Sequence, residues 1–228
     1  MIFIGDIHSR FSYYLDLIKN ITHTPTVQVG DFGLGFVGYD YPRKIEGNHY
    51  FIRGNHDSPV VARSHPNYLG EYGYNEELDL FYVSGADSID KHLRMESIDW
   101  WRDEELDYQT LNTKVLPLFE ATRPRVIVTH TCPSSIKHKI LGRERIEDEW
   151  GGGPSVTERA LQAMFEIHQP DIWVFGHYHR FVDIRKNGTR FICLGINQAI
   201  EINGNDVIGS IPTAMNVFIT NDGHTYLA

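Results

Sequence analysis

Short apolar runs recur along this chain, and each stops at a polar residue. Residues 1–4 lead into Gly5-Asp6-Ile7-His8, and residues 26–29 into Gly30-Asp31. Residues 49–53 lead into Gly54-Asn55-His56-Asp57, residues 125–129 into His130, and residues 171–175 into Gly176-His177-Tyr178-His179. Runs of this length bounded by turn residues read as buried strands. Phe11, Tyr14, Leu15 and Ile18 lie at helical spacing and predict a helix over 10–20. Residues 32–47 read as a loop, 66–77 as irregular and 78–84 as a strand. Over 108–120, Leu111, Val115, Leu118 and Phe119 share one helical side, with Pro117 disturbing it. Ser155 followed three residues later by Glu158 is a capping box, and the helix it opens ends near His168, before Pro170. Residues 181–185 and 189–194 flank Asn187-Gly188, a hairpin signal, and Asn221-Asp222-Gly223 predicts another tight turn. The order is βαβ units first and antiparallel strands later, so the fold class is α/β.

Composition narrows this without redirecting it. A chain of 228 residues without linker or repeat is expected to be a single domain over 1–228. Hydrophobic residues make up 41% and charged residues 22%, as in globular proteins. No run of about 18 apolar residues exists, so no membrane partner is expected. The first strand begins at Met1, so no cleaved signal peptide is expected, and two cysteines, Cys132 and Cys193, make no disulfide framework. The expected location is therefore the cytoplasm of a bacterium or of an infected host cell. A net charge of −9 disfavours long duplex nucleic acid, whose binding rests on Lys and Arg at phosphates. Oligomeric state is not legible.

The residues that end the runs carry the chemistry. In layered α/β folds, ligands bind beyond the carboxyl ends of the strands, so these five ends are expected to converge. Asp and Asn offer oxygen and neutral His offers nitrogen, a mixture suited to Mn, Fe, Zn or Co. In an extended segment Asp6 and His8 point the same way and can reach one ion, and the same holds for His177 and His179. Glycine before the ligand lets the chain approach the site closely.

The ordered set Asp6-x-His8, Gly30-Asp31, Gly54-Asn55-His56-Asp57, His130 and Gly176-His177-x-His179 resembles the calcineurin-like metallophosphoesterase superfamily. The resemblance implies a four-layer sandwich, with two mixed β-sheets packed face to face and helices outside. It implies two divalent ions, most readily Mn, with Fe, Zn, Co or Mg as alternatives. One ion would be held by Asp6, His8, Asp31 and His179, and the other by Asp31, Asn55, His130 and His177, with Asp31 bridging. His56 would sit beside the ions as the catalytic residue without binding metal. Residues 85–91 and 100–106 are similar to a small subgroup of bacterial and phage-encoded phosphoesterases. In the protein Ser/Thr phosphatase branch, a second acid and an arginine follow the bridging Asp. Here the segment is Gly30-Asp31-Phe32-Gly33-Leu34-Gly35, which lacks both.

Other residues leave alternatives open. Arg10 and Arg180 adjoin metal motifs and are the first substrate-binding candidates, with Arg53, Arg143 and Arg145 behind them. Trp100 and Trp101 either stack on substrate or fill core. Asp57 either bonds His56 or caps the helix that follows it. Cys132 either approaches the metals or is a buried thiol, and residues 151–153 form either a phosphate cradle or a hinge.

The expected activity is hydrolysis of a small or short phosphate mono- or diester by a metal-bridging hydroxide, with His56 protonating the leaving group. A nuclease acting on single-stranded DNA or RNA is the alternative, and a nonenzymatic scaffold of the same fold the third reading.

Overall fold

The computed structural model describes residues 1–36, 38, 40–141 and 153–203, and the backbone of strands at 206–210, 217–219 and 225–227. The 221–223 turn, Arg143, Arg145 and most of the triple glycine lie outside the described residues.

Two sheets carry the architecture. The first holds β1 (Ile2–Ile4), β2 (Thr26–Gln28), β3 (His49–Phe51), β10 (Ala199–Asn203) and β11 (Asp206–Ser210), in the order β11-β10-β1-β2-β3. β1, β2 and β3 are parallel, and β10 runs antiparallel to β1, pairing Ala199 with Ile4. The second holds β4 (Tyr72–Asn75), β5 (Leu80–Val83), β6 (Val126–Thr129), β7 (Ile172–Phe175), β8 (Val182–Lys186) and β9 (Thr189–Cys193), in the order β4-β5-β6-β7-β9-β8. Its four central strands are parallel, and both edge strands run antiparallel.

Side-chain alternation explains the stacking. Phe3 points into the core between the sheets, with Val27, Val128, Ile172 and Val174. Ile2 and Ile4 point the other way, onto helix α1 (Phe11–Ile18) and α2 (Pro59–Ser64). On the second sheet Ile127, Trp173 and Phe175 face Leu111 and Val115, which follow α3 (Tyr108–Thr110), together with α4 (Leu116–Thr122), α5 (Ser134–Leu141) and α6 (Val156–Ile167). Strands buried on both faces read as continuous apolar runs, which is why the sequence shows no period of two there. The result is the expected four-layer sandwich of two mixed sheets with helices outside.

The helices follow their signals. α6 opens on the complete capping box, with Ser155 Oγ accepting from the Glu158 amide and Glu158 Oε2 accepting from the Ser155 amide. Pro117 cannot donate to the preceding turn, and a π-helical turn at Leu111–Val115 joins α3 to α4 just before it. Asn187 and Gly188 both have positive φ, as the tight β8–β9 hairpin requires.

One element departs from expectation. Residues 66–77 are not irregular throughout, because β4 forms an edge strand there. β5 supplies its whole ladder, and Gly73 leaves room for the Tyr82 ring, whose hydroxyl would lie 2.7 Å from a Cβ at that position. Pairing decides the strand where local propensity argues against it.

Candidate metal centre

The carboxyl ends of β1, β2, β3, β6 and β7 meet at one edge of the sandwich. Asp6, His8, Asp31 and His179 each place a ligand atom within 4.8 Å of the others. His179 Nε2 lies 3.0 Å from His8 Nε2 and 3.4 Å from Asp6 Oδ2. On the far side of Asp31 stand Asn55, His130 and His177. His130 Nε2 is 3.1 Å from Asp31 Oδ1 and 3.2 Å from Asn55 Oδ1, and His177 Nδ1 is 3.0 Å from the same amide oxygen. Asp31 thus turns Oδ1 to one group and Oδ2 to the other.

His177 and His179 face different groups, against the expectation from an extended segment. The backbone explains it. His8, Asp31, His177 and His179 all have φ between 47° and 69°, in the left-handed region. Each such residue costs about 1–3 kcal/mol and persists only where its surroundings fix it. Here the amides of Ile7 and His8 both donate to the Asp31 carbonyl, at 3.0 and 2.9 Å, and the His177 amide donates to the Asp6 carboxylate. The approach is close: a Cβ on Gly54 would lie 2.1 Å from Asp31 Oδ1, and one on Gly176 2.1 Å from Asp6 Oδ1.

The donors fit divalent cations. His130 Nδ1 donates to the Val29 carbonyl at 2.9 Å, so in the neutral ring Nε2 is a lone pair aimed at two oxygens. Asp31 Oδ2 is buried and accepts no hydrogen bond, with His8 Nε2 3.8 Å away. Electron-rich atoms facing one another in a buried site need a positive charge among them. The charge balance agrees. Burial pushes His8 down to about 4 and holds His177 and His179 below the ordinary imidazole range, so these rings stay in the neutral, ligating form. Burial also opposes charge on His130, but the Asp31 carboxylate against it lifts it to about 9. Burial drives Asp6 up to about 8, against the pull of His130. Asp31 resists its own burial because the His130 ring against it, and then His56, hold it well below the carboxylate range. Beside the Asp31 carboxylate positive charge is favoured, as His130 shows, and a divalent ion would supply it.

His56 lies beside this cluster. Its amide donates to Asp31 Oδ1 at 2.8 Å, its ring meets His8 edge-on at 5.1 Å, and Phe36 stacks near it. Trp101 is buried and packs on Phe36, so it fills core behind the site. Asp57 neither bonds His56 nor caps α2. Its buried carboxylate accepts from the amides of Phe32, Gly33, Leu34 and Gly54, stapling the Asp31 loop to the Asn55 loop. Cys132 is a buried free thiol against the Tyr178 hydroxyl at 3.5 Å, and burial pushes it up. Arg53 is buried against Glu71 and the Glu104 carbonyl. Arg10 is exposed at the head of α1, and Arg180 Nη1 donates to the Ile140 carbonyl at 3.3 Å.

Three residues near the cluster were given no role in the sequence, although Ser88 and Glu104 lie in the segments 85–91 and 100–106 that carry the subgroup likeness. Asn55 Nδ2 donates to Ser88 Oγ at 3.1 Å, and Ser88 Oγ in turn donates to the Glu104 carboxylate. This chain turns the Asn55 carbonyl oxygen toward the histidines. Arg94 lies against the His56 ring. All three come from the segment between β5 and α3. A cavity of about 190 Å³ opens beside His177, lined in part by Ser88, Lys91, Lys137 and Ser155.

Similar solved structures share little sequence. The anchor protein of the inner membrane complex of Plasmodium is 12% identical, with 86% of this chain and 71% of that one covered and a TM-score of 0.48. A Streptococcus pneumoniae protein described as a predicted phosphoesterase is 11% identical, with 99% and 92% covered and a TM-score of 0.38. The phosphopantetheinyl hydrolase of Mycobacterium tuberculosis is 14% identical, with 86% and 89% covered and a TM-score of 0.42. No curated protein sequence matches the chain. The sequence profile of the calcineurin-like phosphoesterases matches residues 1–181, a span that contains every residue of the cluster. The chain therefore belongs to the calcineurin-like phosphoesterase family, whose members are metal-dependent phosphoric ester hydrolases.

Proposed function

We propose that this chain, acting as one unit over 1–228, hydrolyses a small or short phosphate mono- or diester at a centre for two divalent ions. The observation that carries the reading is the two-sided Asp31 carboxylate, with His8 of the Asp6-His8-His179 group beside one oxygen and His130 of the Asn55-His130-His177 group beside the other. Two bound ions supply Lewis-acid charge for phosphate oxygens and a water acidic enough to act as nucleophile near neutral pH. The residues do the rest. Asp31 ties the two halves of the centre together, and neutral imidazoles complete each half. The His179 side chain is 46% exposed, which leaves the centre open on that side to incoming phosphate. His56, unclaimed by the ligand groups, is placed to give a proton to the departing ester oxygen.

The mixed oxygen and nitrogen set suits Mn, Fe, Zn or Co, with Mg as a further substitute, and the family resemblance favours Mn among them. The cavity beside His177 suits a small organic group on the phosphate. Net charge −9 works against a long polyanion. Two free buried thiols suit a reducing cytoplasm. No helix among the described residues is long and apolar enough to cross a membrane.

The test is hydrolysis of bis(4-nitrophenyl) phosphate and 4-nitrophenyl phosphate by protein loaded with Mn, beside single-stranded oligonucleotides. Turnover of an aryl ester, abolished by chelation and restored by Mn, is the expected result. Cleavage confined to oligonucleotides would promote a nuclease. Stoichiometric metal without any hydrolysis would favour a scaffold.

A further inference from the structure

The segment between β5 and α3 brings a guanidinium to the edge of the metal cluster. Arg94 is largely buried, its side chain 15% exposed, and it is held from behind. Its Nε and Nη2 donate to the two Asp90 carboxylate oxygens, both at 2.7 Å, and Nη1 donates to the Asp99 carbonyl at 3.1 Å. The forward edge meets His56: Nη1 is 3.2 Å from Nδ1 and Nη2 is 3.2 Å from Nε2.

That contact is incomplete as hydrogen bonding. A neutral imidazole has one ring lone pair and a protonated one has none, while both Nη atoms offer protons. At least one forward N–H therefore finds no acceptor on His56. A side chain clamped by a bidentate carboxylate, with an unmatched donor aimed past His56, is arranged for an anion. A phosphoryl oxygen matches the fork and would fill the open donor. Arg102, in the same segment, shows the contrast: it is 80% exposed and pairs with Glu96 alone, away from the cluster.

We propose that Arg94 is a substrate-binding residue, its Nη donors gripping a nonbridging phosphate oxygen beside His56 while Asp90 holds the fork in place. This rests on the phosphoesterase reading of the centre.

The test is binding of inorganic phosphate to the Mn-loaded protein by calorimetry, with hydrolysis of 4-nitrophenyl phosphate measured alongside. Arg94→Ala should weaken phosphate binding about 10- to 100-fold, the range of a charge-assisted hydrogen bond. Arg94→Lys keeps the charge and the stem but loses the fork, and should fall between the two. Arg102→Ala should bind as the unaltered protein does. If Arg94→Ala unfolds, the Lys variant decides: phosphate affinity equal to that of the unaltered protein overturns the assignment. Loss confined to Arg94 variants, with Mn content unchanged, supports it. If the unaltered protein hydrolyses aryl phosphates but Arg94 variants bind phosphate normally, only the Arg94 assignment falls. If the unaltered protein neither binds phosphate nor hydrolyses an ester, the reading of the centre falls, and this one with it.

Discussion

At the scale of single residues, His56 is the side chain whose surroundings decide most about turnover. Phe36 stacks behind it, His8 meets its edge, and its own amide is tied to Asp31. Among the described histidines of the cluster, His56 is the one outside both ligand groups. His56→Ala should therefore lower turnover by about 10²–10⁴-fold on alkyl phosphoesters. The loss should shrink on nitrophenyl esters, whose leaving group needs no proton, and Mn content should stay constant. Equal losses on both substrates with metal retained would remove His56 from the proton path. The clustered residues were legible because each ends an apolar run within a short local motif. Arg94 was not, since an arginine 38 residues beyond His56 carries no local mark of the contact. Asp57 was misjudged for a related reason. Its four amide partners include three from a loop more than 20 residues earlier, which adjacent-residue reasoning cannot supply.

At the scale of elements, the stretch joining β5 to α3 is the one whose importance the periodic pattern hid. It carries only a short 3₁₀ turn, Lys91–Leu93, yet Ser88 and Glu104 reach back to Asn55 from its two ends. Glu104 is buried, and burial raises its carboxyl against the pull of its bonds from Ser88. Ser88→Ala removes the acceptor of the Asn55 amide and frees that side chain to rotate. Mn affinity should fall about 10- to 100-fold, the usual cost of losing a group that orients a metal ligand. Mn titration by isothermal calorimetry checks this, and an unchanged affinity would show that Asn55 is fixed by other means. Regular elements were read well: the capping box, the β8–β9 hairpin and the disturbance at Pro117 all have local chemical causes. β4 was not, because an edge strand takes its geometry from its neighbour.

At the scale of the whole molecule, the α/β class followed from the order of apolar runs and the four-layer sandwich from the family resemblance, while the polar ties between distant loops followed from neither. One such tie centres on buried Arg53. Glu71 accepts from Arg53 and from Arg63, and Arg63 reaches on to Asp103. Burial works against ionised Glu71, but Arg53, then Arg63, hold it below the ordinary glutamate value of 4.5. A carboxylate depressed in the folded state contributes stability that is present above its unfolded value and lost as pH falls through the folded one. Stability should therefore drop below about pH 4.5. Glu71→Gln should flatten that part of the drop and cost about 3 kcal/mol near neutrality, because Arg53 stays buried without its partner. Chemical denaturation of both forms from pH 7 to pH 3 measures the two effects, and parallel acid profiles would exclude Glu71 as their source.

The position of β1 has a consequence during synthesis. Its parallel partner β2 follows closely in the chain, but its other partner is β10, and Ile4 waits for Ala199. At ribosomal rates that interval lasts roughly 10–40 s. Throughout it the nascent protein carries an open, wholly apolar strand edge at the middle of a future sheet. A newborn chain in this state is a natural client for a holding chaperone, and a stall late in translation would leave it most exposed to aggregation.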